Sequence, residues 1–100
     1  MYPKNLVDKV HQNYVDNVIP PIIEGNYTEA AIKLLDSLDY IEKKQMEIMV
    51  LVDKGANYII ALKLLYDRLK EGNKEFIETA MGLFEFYYGR TQKTEDICLN

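Results

Sequence analysis

The sequence predicts an all-α fold, a compact five-helix antiparallel bundle of helical hairpins with a mobile C-terminal tail. Three observations carry that expectation. Apolar residues recur at spacings of three and four along most of the chain, no segment alternates apolar and polar residues over strand length, and neither an Asn-Gly nor an Asp-Gly hairpin turn occurs. One hundred residues, 48% of them hydrophobic, suffice for one core and are too apolar for a wholly disordered chain. The expected layout is a single α-helical domain over residues 1–89 and a flexible tail over residues 90–100.

The first helix is expected from about Lys4 to Val18, because Val7, Val10, Tyr14 and Val18 fall on one face. Pro20-Pro21 lacks two amide donors and should interrupt it, with a short new turn at Ile22 and Ile23. Asn26 followed by Glu29 has the form of a capping box and starts the second helix. Its Tyr27, Ala30, Ala31, Leu34, Leu35 and Leu38 make an amphipathic stripe. Asp39 and Glu42 repeat the signature, so a third helix from about Tyr40 to Asp53 follows almost at once, with Ile41, Ile48 and Val52 on its apolar face.

The fourth helix, about Asn57 to Lys70, is apolar around most of its circumference and is placed centrally. Asn73 caps the fifth, where Phe76, Ile77, Ala80, Met81, Leu83, Phe84, Tyr87 and Tyr88 form one broad stripe opposite Glu71, Glu75, Glu78 and Glu85. Gly25, Gly55, Gly72 and Gly89 read as helix stops, whereas Gly82 lies inside the fifth helix and weakens it unless another backbone packs close. The expected core is Leu34, Leu35, Leu38, Ile48, Val52, Leu62, Leu65, Phe76, Ala80 and Phe84.

At an offset of thirty residues Gly25, Ala31, Lys33, Leu34 and Leu35 pair with Gly55, Ala61, Lys63, Leu64 and Leu65, the echo of a duplicated helical hairpin. Residues Gly25 to Ile32, Gly-Asn-Tyr-Thr-Glu-Ala-Ala-Ile, resemble the second helix of a tetratricopeptide repeat. Upstream, Tyr14 stands for that family's first aromatic, while Asn17, Val18 and Pro21 depart from its pattern. The resemblance implies helical-hairpin packing in a family that mostly binds peptides and proteins, and it carries no binding residues over.

Twelve Lys and Arg against sixteen Asp and Glu give a net charge of −4, an acidic balance that argues against direct nucleic-acid binding. Charges break every apolar run near the N-terminus, where a secretory signal needs an uninterrupted one, so a cytoplasmic location is expected. No run approaches the ~20 apolar residues of a membrane span, and Cys98, third from the end, misses the prenylation position.

One cysteine and one histidine make a Cys/His zinc site unavailable, and no glycine-rich phosphate loop occurs; no metal or cofactor is expected. Catalysis by a nucleophile and base has only His11 as the usual base, with Asp8 three residues earlier to orient it, and neither Ser37 nor Cys98 lies in a motif. The expectation is a protein that is not an enzyme.

Eight tyrosines are the compositional anomaly. Phe86 falls outside the apolar arc of the fifth helix, with Tyr87, Tyr88 and Arg90 beside it, and aromatics with Arg concentrate where partners bind. The expected partner-binding residues are therefore Glu75, Glu78, Glu85, Phe86, Tyr87, Tyr88 and Arg90, acting on another protein or in a homo-oligomer. The leading expectation is a non-enzymatic interaction module, an adaptor or inhibitor. Two alternatives stand beside it: a small-ligand or nucleotide sensor with a tyrosine-lined interhelical pocket, and an acidic decoy from a mobile element that blocks a nucleic-acid-acting enzyme.

Overall fold

In the computed structural model, which describes residues 4–36, 38–49 and 53–99, the first rod is shaped by its two prolines. Helix α1 (Lys4–Asn13) passes directly into a π-helical turn, π1 (Tyr14–Val18), and then into α2 (Ile19–Ile23). The interruption expected at Pro20-Pro21 is thus a widening instead. Each proline ring crowds the carbonyl four residues back, that of Asp16 or Asn17, and offers it no N–H. Both carbonyls lie in π1, where the Ile19 N–H bonds to the Tyr14 carbonyl five residues back. The wider turn gives the rings room, and Asp16 and Asn17 are exposed, so solvent reaches the carbonyls left over.

The rod ends in a Schellman motif: Gly25 takes φ 79° and its N–H bonds to the Ile22 carbonyl at 3.0 Å, while the Asn26 N–H reaches the Pro21 carbonyl at 2.8 Å. Helix α3 (Tyr27–Asp36) then starts on the predicted cap. The Glu29 N–H donates to Asn26 Oδ1 at 3.3 Å, and the Asn26 side-chain amide donates to Glu29 because its backbone N–H is already taken by Pro21. Helix α4 (Tyr40–Met49) carries the full reciprocal box, Glu42 N–H to Asp39 Oδ1 at 2.8 Å and Asp39 N–H to Glu42 Oε1 at 3.0 Å. Lys9 reaches across from α1 to both Glu42 oxygens, at 2.8 and 2.9 Å. That hydrogen bond, then the Asp39 amide, holds the Glu42 carboxyl below the usual carboxylate range.

Helices α5 (Asp53–Glu71) and α6 (Lys74–Leu99) form a hairpin turned at Gly72, whose φ of 76° and N–H bond to the Arg68 carbonyl close α5. Asn73 Oδ1 then caps α6 through the Glu75 and Phe76 amides. Gly55 and Gly89 do not end helices as expected: among the described residues only Gly25 and Gly72 have positive φ, and without it a glycine is merely a weak helix former. Asp53 accordingly opens α5 rather than closing α4, and the backbone of α6 stays helical through residues 90–99, which the sequence assigns to a tail.

The described residues make five helical rods and contain no strand, the all-α bundle the sequence predicts. Its Cα radius of gyration, 13.3 Å, is that of a compact chain of this length. Helix α5 is central, touching α3, α4 and α6. Leu34, Leu38, Leu62, Leu65, Ala80 and Phe84 are buried as expected, Leu35 is half-buried, and Val52 and the Ile48 side chain lie outside the description. Phe76 and Ile41 are corrections, being exposed at 51% and 67%. Ile77, one residue on, takes the inward place that Phe76 was given, because Ile77, Ala80 and Phe84 follow helical spacing into the interior. The first rod supplies more core than expected through Leu6, Val7, Val10, Tyr14 and Val18, as do Tyr58 and Leu69 of α5. No helix among the described residues is long and apolar enough to cross a membrane.

Candidate interaction surface on the last helix

Helix α6 carries two apolar stripes. The inner one, Ile77, Ala80 and Phe84, is fully used by the core. The second faces outward: Phe76, Leu83 and Phe86 are exposed at 51%, 37% and 55%, and their spacings of seven and three keep them on one side of the helix. Phe86 meets Tyr87 edge-on at 5.1 Å and 73°, and the Arg90 guanidinium lies 5.8 Å from the Phe86 ring centroid. Beside this stripe, Leu64 and Arg68 of α5 join Phe76, Thr79 and Ala80 around a shallow groove of about 180 Å³.

The seven residues singled out from the sequence divide. Glu75, Phe86 and Arg90 stand on the outer side of α6 and are exposed. Glu78 belongs elsewhere, on the wall of a cleft of about 510 Å³ between α2, α3 and α6, with Ile22, Tyr27, Lys74 and Ile77. Tyr87 is half-buried against the core. Glu85 and Tyr88 turn to the first rod, where the structure builds a compact cluster around His11.

In that cluster the His11 and Tyr88 rings stack with centroids 3.8 Å apart and planes within 3°. His11 Nε2 lies 2.8 Å from Glu85 Oε1, and the Tyr88 hydroxyl donates to Asp8 Oδ1 at 2.8 Å. Asp8, expected to orient His11, accepts a hydrogen bond from the Tyr88 hydroxyl. Large side chains span the gap between α1 and α6, so the two helices are joined by rings and hydrogen bonds. Tyr14 packs edge-on against Phe84 at 4.9 Å; burial, then the charge of Glu85, pushes its hydroxyl up to about 12. The His11–Glu85 and Tyr88–Asp8 hydrogen bonds both run between α1 and α6, which makes the cluster a tie between rods. Ser37 lies outside the described residues, as does the Cys98 side chain, and no group of three or more His, Cys, Asp or Glu among the described residues is arranged to hold a metal ion.

The acidic row is likewise uneven. Glu71 is held by Arg68 at 2.6 Å and Glu85 by His11, leaving Glu75 and Glu78 as its members without an ion pair among the described residues. The buried tyrosines Tyr14 and Tyr58 pack on Phe84 in the core, and among the described residues Tyr27 is the one tyrosine that borders the large cleft.

Sequence reasoning missed Asn13. It is buried, and its amide donates to the Lys33 carbonyl at 2.8 Å, while Asn17 donates to its oxygen at 2.9 Å. The Lys33 carbonyl and that of Leu34, 3.5 Å from the same amide, lie in the last turn of α3, so Asn13 binds that helix end from outside. The available signal was its place between Val10 and Tyr14 on the buried face. No family model, curated protein or solved structure matches the chain.

Proposed function

We propose that this chain is a non-enzymatic protein–protein interaction module, an adaptor or inhibitor, that works by surface binding through the outer side of α6. The observation that carries this reading is the second apolar stripe, with Phe86 more than half exposed although the inner stripe already fills the core. Large apolar groups exposed together on one face raise the free energy in water until a partner covers them, and an aromatic with an adjacent Arg is the composition of a binding hot spot. In this reading the chain acts in the cytoplasm on a partner protein or on another copy of itself, without a cofactor, nucleic acid or membrane. The sensor and decoy alternatives draw less support, because the buried tyrosines pack in the core and two members of the acidic row are engaged, Glu71 by Arg68 and Glu85 by a hydrogen bond with His11.

The test is capture of partners from a lysate of the native host with the wild type and with Phe86→Asp, both first shown to be equally folded. Phe86 is on the surface, so the substitution leaves the core intact. Loss of a hot-spot aromatic weakens the captured complex by about 30-fold or more. Retention of every partner by the variant rules the surface out. The same complex should respond little to added salt, where an acidic decoy would release its target.

A further inference from the structure

We infer that the occupant of the outer α6 stripe is the same stripe of a second copy, the two helices packing antiparallel about a twofold axis that passes between Gly82 and Leu83. The inference rests on the reading of α6 as an interaction surface and adds the identity of the partner. Its first support is charge. Glu75 and Arg90 stand near opposite ends of the stripe, and among the described residues neither side chain has an ion pair. An isologous antiparallel pair brings Arg90 of each copy level with Glu75 of the other, so two ion pairs about 22 Å apart bracket an apolar strip about 15 Å long.

The second support is size. With that axis, Leu83 comes level with Gly82 of the other copy, Phe76 with Gly89, and Phe86 with Thr79. Phe86 and Thr79 share one side of the helix and so meet across the axis, while Gly82 and Gly89 lie beyond Phe86 along one edge of the stripe, where the two backbones can approach closely. The two glycines lie in the helix where nothing in the chain needs them. A Cβ built at Gly82 or Gly89 has no neighbour within 4 Å, and neither glycine takes a positive φ. A glycine inside a helix weakens it, and close approach of another backbone is a physical reason for placing one there. A second helix laid over this face supplies that backbone.

A single-helix contact of this length buries less than the ~800 Å² per partner of a standard stable interface, so the pair should dissociate on dilution. Sedimentation equilibrium over a dilution series tests it, with the mass of the wild type rising from 11.7 kDa toward twice that value as concentration increases. Glu75→Arg and Arg90→Glu each place like charges at both ends and should weaken pairing by about tenfold or more. Mixed one to one, these two variants have opposite charges at both ends, and pairing returns. Gly82→Ala keeps the fold and weakens pairing by holding the backbones apart.

A wild type that stays monomeric at every concentration overturns the inference. So does a dimer indifferent to the charge variants, or a mixture that does not recover. If the wild type is monomeric while Phe86→Asp still strips a captured partner, the interaction surface stands and only its occupant is wrong. If neither association nor capture depends on this face, both readings fall.

Discussion

Tyr14 sits where the first rod meets α6, its ring 1% exposed and edge-on to Phe84. Its hydroxyl keeps its proton up to about 12, against an ordinary 10.0, because burial and the nearby Glu85 charge disfavour the phenolate. The folded state therefore holds this proton more tightly than the unfolded state. That contribution to stability is complete below about pH 10 and is lost as the pH rises toward 12. A two-unit shift is worth about 2–3 kcal/mol. Denaturant unfolding across this alkaline range should show the wild type losing about that much more than Tyr14→Phe; parallel losses would show that Tyr14 is not the responsible group. Asn13 offers a second test at this scale. Asn13→Ala removes the Asn13 donor from the Lys33 carbonyl, and a polar groove lined by Asn13, Asn17, Lys33 and Asp36 lets water approach. The expected cost is accordingly about 1 kcal/mol, that of one hydrogen bond, read as a fall in unfolding free energy.

Among the elements, capping was legible and phase was not. Asn26, Asp39 and Asn73 cap where their side chains place them, since a cap is a local hydrogen bond between residues two or three apart. The π turn and the second stripe of α6 were hidden for different reasons. A diproline removes donors wherever it falls, but whether the helix stops or widens depends on what holds the following turn, here buried Pro21 and the Schellman closure at Gly25. The broad apolar run of α6 gives no sign of which part faces inward until α5 and the first rod take their places on it. Glycine substitutions separate local from tertiary effects. In dilute solution Gly82→Ala should raise stability by about 0.5–1 kcal/mol, because the methyl has open space and the helix gains a better former. The same change at Gly72 should lower it, since φ there is 76°. Thermal unfolding shifts of opposite sign check the pair.

At the scale of the molecule, α5 and α6 make the main hairpin, α3 and the first rod complete the core, and α4 lies to one side. Of the α4 side chains that are described, Tyr40 to Gln45 and Glu47, none belongs to the core, and Tyr40 and Ile41 are exposed. Its attachments include the Lys9–Glu42 contact and its packing along α5. Local opening takes least free energy where few apolar groups are buried. Native-state hydrogen exchange should therefore find α4 amides exchanging well before those of α5 around Leu65 and of α6 around Ile77. Equal protection of all three would mean that α4 opens only with the whole domain.

The amino-acid sequence alone determined what local interactions control: helical periodicity, the three Asn and Asp caps, the turns at Gly25 and Gly72, and the aromatic excess near the end of α6. The tertiary structure decided which side of each helix is covered. It buried Ile77 in place of Phe76, engaged Tyr88 and Glu85 with Asp8 and His11, and turned Phe76 and Leu83 outward to join Phe86. The physical reason is that burial belongs to a surface and its neighbour together, so residues with equal apolar character along one helix acquire different roles only when other helices pack against it.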